Sequence, residues 1–152
     1  MTLSPRDLVG TWRLESCEVL DDGVSVQRPF GSMPSGILAY TVEGFMLAAI
    51  MHGDRVHPET ADPFAATAAE KAALVDGFLS YGGTYEIAGN RVRHRIDVSL
   101  FPNWVGTTQE RIVLLEGDTL VLSTDPGTLG GSRVARLGWR RVRLSAPHPQ
   151  AR

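Results

Sequence analysis

From Thr84 to Leu144 the chain is cut into short runs by reversal signals: Gly89-Asn90, the corner Pro102-Asn103, Gly117-Asp118 and a glycine-rich loop over Pro126–Ser132. Gly and Asn tolerate positive φ and Pro presets its own, so the chain turns back at these points. Connections this short join antiparallel neighbours, because parallel strands need a crossover of about a dozen residues or more. The expected strands are Thr84–Ala88, Arg91–Phe101, Thr107–Leu115, Leu120–Thr124 and Arg133–Leu144. The first half carries the same pattern. Thr11–Leu20 is a strand with Trp12, Leu14 and Ser16 on one face; Asp21-Asp22-Gly23 turns into a brief pairing segment, Val24–Gln27. After an irregular stretch over Pro29–Pro34, Ile37–Thr41 and Phe45–Met51 flank Val42-Glu43-Gly44. Both of these runs are apolar on both faces, so one face packs inward and the other is expected to be covered. Eight or nine strands with such links predict a closed up-and-down antiparallel β-barrel, which leaves no exposed sheet edge. An eight-stranded barrel encloses roughly one small ligand.

Helix signals are few. Ser4 and Pro5 start a single turn over Ser4–Val9, where serine can cap and proline fits the first helical position. Thr67 and Glu70 form a capping box, and Leu74, Val75, Phe78 and Leu79 mark an apolar stripe, so one helix is expected over 67–81. Its body from Ala68 to Ser80 would be about 20 Å long, enough to cross a barrel mouth or lie along the wall.

A chain of 152 residues with 43% hydrophobic residues suits one barrel over residues 1–144, followed by a loose tail over 145–152. The net charge of -2 offers no footing for nucleic acid or an anionic membrane. Cys17 is the only cysteine, which excludes an intrachain disulfide and suggests a small core residue. Residues 1–7 lack the apolar run of a signal peptide, and no stretch reaches the ~20 apolar residues of a membrane helix. A cytoplasmic location is the expectation.

The segment His94–Arg111 is loaded with groups that are costly to bury: His94, Asp97, Ser99, Gln109 and Arg111. If its corner centres on residues Asn103 to Val105, Ser99 pairs with Gln109 and Asp97 with Arg111, a polar ladder on one face. His94, Ile96, Val98, Leu100, Ile112 and Leu114 then share the other face. Either the apolar face or the ladder points inward, and the pattern leaves both open. His94 has the opposite parity to Ser99, Gln109 and Arg111, so a bulge is required for all four to face one cavity. Tyr40, Met51, Tyr81, Tyr85 and Trp104 are further candidates for the wall of an aromatic and thioether-rich pocket. The loop His52–Glu59 holds two imidazoles and two carboxylates, but its spacing matches no defined metal motif. The Gly127–Gly131 loop lacks the Lys-Ser/Thr and following helix of a phosphate loop, and no nucleophile elbow occurs.

Gly10-Thr11-Trp12 opens the first long strand and Trp139-Arg140-Arg141 closes the last. With His94, Ser99, Pro102, Trp104, Gly106, Gln109 and Arg111, these ends make a pattern that resembles the bacterial and fungal lipocalin-like domains, a branch of the calycin β-barrels. The resemblance implies that Trp12 seals the barrel floor and that Arg140 or Arg141 stacks across it. It also implies an internal pocket for a hydrophobic or amphipathic small molecule, with His94, Ser99, Gln109 and Arg111 beside the aromatic candidates. No cofactor and no metal follow from it; self-association is left open. The rival reading is a cofactor-free isomerase or cyclase of secondary metabolism, acting on a polyketide- or terpenoid-like substrate. Arg111 and Gln109 would then stabilise an oxyanion, and His94 or a tyrosine would move the proton. A third reading is a partner-binding module whose barrel is filled.

Overall fold

The reversal signals take up the geometry they encode: Gly89, Gly106 and Gly117 all have positive φ. In the computed structural model, which describes residues 2–144, they separate nine strands: β1 (Gly10–Asp21), β2 (Val24–Gln27), β3 (Ser35–Tyr40), β4 (Phe45–Met51), β5 (Phe78–Ala88), β6 (Arg91–Ser99), β7 (Thr108–Glu116), β8 (Thr119–Ser123) and β9 (Val134–Arg141). The helices α1 (Pro5–Leu8) and α2 (Ala68–Asp76) and a 3₁₀ turn at Pro102–Trp104 complete the set. The expected tail over 145–152 lies outside the described residues.

Strands β3 to β9 pair in chain order, all antiparallel, and β1 pairs with β3 on one side and β9 on the other. Eight strands therefore close into a barrel. β2 pairs only with the far end of β1, outside the ring. Closure depends on the length of β1. Its first residues, Gly10–Arg13, meet Tyr40–Ile37, while Trp12–Leu20 runs along Arg141–Val134. The register against β9 shifts between Leu14 and Ser16, leaving Glu15 extra. This bulge corrects the expected face of β1: Trp12 and Leu14 point inward, but beyond Glu15 the inward residues are Cys17 and Val19, not Ser16.

The lower end is sealed as the resemblance implies. Trp12 is fully buried and its indole N–H donates to the Leu8 carbonyl at 2.9 Å. The Arg141 guanidinium lies 4.1 Å over the indole and donates to the carbonyls of Val9 (2.8 Å) and Asp7 (2.7 Å). Arg140 points outward to Glu15.

Two further expectations change. The helix runs only over Ala68–Asp76, because Gly77 ends it and Phe78 begins the ladder with Met51. Thr67 and Glu70 do form the capping box, yet no residue of α2 is buried. The sheet thus claims Phe78 and Leu79, whose pairing with β4 is worth more than another helical turn on an exposed face. The outer faces of β3 and β4 are not covered among the described residues: Ile37, Phe45 and Leu47 stay about half exposed. No helix among the described residues is long and apolar enough to cross a membrane.

Candidate functional site

The inward parity of the β5–β6–β7 wall is set by one bulge and one register. Against β5, β6 pairs Ile96 with Gly83 but Val98 with Gly82, so Asp97 is extra. His94 and Ile96 face inward below the bulge, and Ser99, opposite the buried Tyr81, faces inward above it. Against β7, the observed pairs are His94–Gln109 and Val92–Arg111. The expected pairs Ser99–Gln109 and Asp97–Arg111 do not form. Ladder pairing stops at Arg95–Thr108; beyond it the Ile96 N–H donates to the Thr107 carbonyl, and the chain leaves the sheet until Gly106 returns it. The corner is therefore longer than a tight turn, and the register moves by an odd number. His94, Ser99, Gln109 and Arg111 all come to the inner face, while Asp97 is exposed.

Gln109 and Arg111 border an internal cavity of about 400 Å³. Among the candidates, Tyr81, Trp104, Gln109 and Arg111 line it. Leu38, Ile50, Leu122 and Trp139 form much of its apolar wall, and Phe30 and Leu129, from the β2–β3 and β8–β9 loops, stand at its upper end. Cys17 also reaches it, delivered by the Glu15 bulge. The alternation Leu122–Thr124 and Ala135–Leu137–Trp139 on the last two strands was the readable signal for the residues not singled out beforehand. α2 contributes nothing to the lining.

Other candidates lie behind or beside the cavity. His94 is fully buried, and its Nε2 is 2.7 Å from the Tyr40 hydroxyl. Its Nδ1 has no hydrogen-bond partner among the described residues. Tyr85 packs edge-on to Tyr40, with ring centroids 4.7 Å apart, and donates its hydroxyl to the Thr41 carbonyl at 3.0 Å. The Ser99 hydroxyl accepts from the Phe101 N–H at 3.0 Å. Met51 sits at the end of β4, its sulfur 3.9 Å from the Arg55 guanidinium. The His52–Glu59 side chains do not gather into a group of three metal donors among the described residues.

Burial sets the charge states. Desolvation, helped by the nearby Arg111 cation, lowers the His94 pKa to about 3, so the imidazole is neutral at pH 7. Burial raises the Tyr40 and Tyr81 hydroxyls above their usual value, with Arg111 opposing, and raises Cys17 to about 11. Arg111 itself donates to the Glu110 carbonyl at 2.7 Å and lies 3.5 Å from the Gln109 side-chain oxygen. None of the ion pairs among the described residues includes it. The Glu110 carboxylate is held outside the barrel by Arg93 (2.6 Å) and Arg91 (3.2 Å).

A family model described as a lipocalin-like domain matches residues 9–142. The 4'-hydroxy-3'-methoxypropiophenone carrier protein ppsC of Aspergillus oryzae is 33% identical over 107 residues, covering 64% of this chain and 96% of that protein. A solved structure of an uncharacterized protein from Bacteroides eggerthii aligns at a TM-score of 0.47 and 13% identity, over 89% of this chain and 99% of that one.

Proposed function

The chain belongs to the lipocalin-like domain family, and on that footing we propose that it is a carrier, holding one hydrophobic or amphipathic small molecule inside the barrel. The observation that carries this reading is the cavity of about 400 Å³, a size that suits a small ligand, with an apolar wall broken by Gln109 and Arg111. Tyr81 and Trp104 supply flat faces, their rings edge-to-face at 5.5 Å. The name of the Aspergillus oryzae relative supports carriage and suggests aryl ketones as the first compounds to try. Residues 1–144 act as one binding unit in this proposal. A cytoplasmic place of work belongs to the proposal as well.

Conversion of the ligand would need a proton-moving group at the wall. His94 does not line the cavity and is tied to Tyr40, no carboxylate lines it among the described residues, and the Tyr81 hydroxyl and Cys17 thiol, both raised by burial, are not bases at pH 7. That favours carriage over catalysis. The test is a titration with 4'-hydroxy-3'-methoxypropiophenone, read by tryptophan fluorescence, followed by chromatography of the recovered compound. Saturable quenching with a Kd on the order of micromolar and unchanged compound are expected. A new product would establish an enzyme, and no saturable binding of this or any apolar probe would mean a filled barrel.

A further inference from the structure

The hydrogen-bonding groups of the cavity are unbalanced. On the donor side stands the Arg111 guanidinium, with only a neighbouring carbonyl and the Gln109 amide as partners. The Trp139 indole N–H is buried without an acceptor among the described residues. The Tyr81 hydroxyl lines the cavity too. On the acceptor side there is no carboxylate in the lining among the described residues. Asp97 is exposed on its bulge and Glu110 is bound to Arg91 and Arg93. The titratable groups of the inner wall near Arg111 are Cys17 on β1, Tyr40 on β3, Tyr81 on β5 and His94 on β6. Each is neutral at pH 7: the thiol and the hydroxyls keep their protons, which burial reinforces, and burial keeps His94 from gaining one. None can act as counter-ion, and a part-buried cation without one is costly.

We propose that the ligand brings the missing negative charge: an apolar skeleton bearing an acidic oxygen, whether carboxylate, enolate or ionised phenol, that docks on Arg111. This rests on the carrier reading and narrows it to a chemical class. The planar fork of arginine suits such an acidic oxygen, and the same field disfavours amines.

Three probes of one shape separate the possibilities: 1-naphthoate, 1-naphthylmethanol and 1-naphthylmethylamine, titrated calorimetrically into the full chain at pH 7. Naphthoate should bind at least about tenfold more tightly than the alcohol, with the amine weakest. Arg111→Met should weaken naphthoate about tenfold and the alcohol less than about threefold. If that variant does not fold, the wild-type ranking decides, together with a chromophoric nitrophenol. Its absorbance titration in the bound state should move to lower pH by about one unit. An alcohol that binds as tightly as naphthoate, or a bound phenol whose titration moves upward, would overturn the anion preference and leave the carrier standing. Failure of all three probes to bind would remove the carrier reading and the preference with it.

Discussion

His94 shows how a single residue's surroundings outweigh its chemistry. An imidazole at full burial, beside a tyrosine hydroxyl and within the field of Arg111, does not titrate in the physiological range. Its folded pKa of about 3 lies below the ordinary 6.5, so the unfolded chain takes up the proton first. Stability from this residue is full above about pH 6.5 and is lost as the pH falls toward 3, by up to roughly 1.4 kcal/mol per unit. Urea denaturation at pH 7 and 5.5, where exposed carboxylates are still largely ionised, should show the loss. His94→Gln should flatten it. An unchanged slope in the variant would assign the proton uptake elsewhere.

Among the elements, β5 and β6 depend on two adjacent glycines. A Cβ on Gly83 would lie 1.9 Å from the Arg95 carbonyl, and one on Gly82 would meet the Met46 carbonyl at 2.9 Å. Gly83 approaches β6 this closely where Asp97 bulges, while Gly82 approaches β4 on the other side. The bulge is what lets His94 and Ser99 share the inner face. Gly83→Ala must push backbone from backbone, with no flexible side chain to give way. Its cost should be about 3 kcal/mol or more, and probe affinity should fall with it, because the wall that carries Tyr81 and Trp104 shifts. Calorimetric melting and the probe titration check both parts; a loss below 1 kcal/mol would show that the pair can slide apart. α2 is the contrast: with no buried residue and absent from the cavity, it has a well-formed cap and no part in the lining.

At the scale of the molecule, closure runs through β1, the one strand bound to three others. Its Trp12 fills the floor between α1 and Arg141, so the two ends of the ring are locked by one indole and one guanidinium. Trp12→Ala should cost roughly 3–5 kcal/mol in chemical denaturation. A loss well under 1 kcal/mol would mean that the strand ladder alone holds the barrel shut. At the upper end, loops carrying Phe30 and Leu129 border the cavity, and among the described residues no comparable indole–guanidinium pair closes it.

Local chemistry determined the architecture. Glycine and asparagine at the reversals accept the backbone angles that turns require, and alternation marks the strands; neither depends on distant residues. The floor was implied by the family resemblance of Gly10-Thr11-Trp12 and Trp139-Arg140-Arg141, and the fold chose Arg141 over Arg140. Tyr81, Trp104, Gln109 and Arg111 were legible as candidate types, costly polar groups and aromatics near one hairpin, while their facing was left open. Only the tertiary structure decided which way they face. The even register assumed a tight corner at Asn103, but pairing ends at Arg95–Thr108. The bulge at Glu15 answers to β9, over a hundred residues away, and that at Asp97 to the glycines of β5 across the adjoining hairpin. In a strand with period two, one extra residue reverses every side chain beyond it. The inner wall is therefore set by where curved neighbours can keep their hydrogen bonds, which no local pattern encodes.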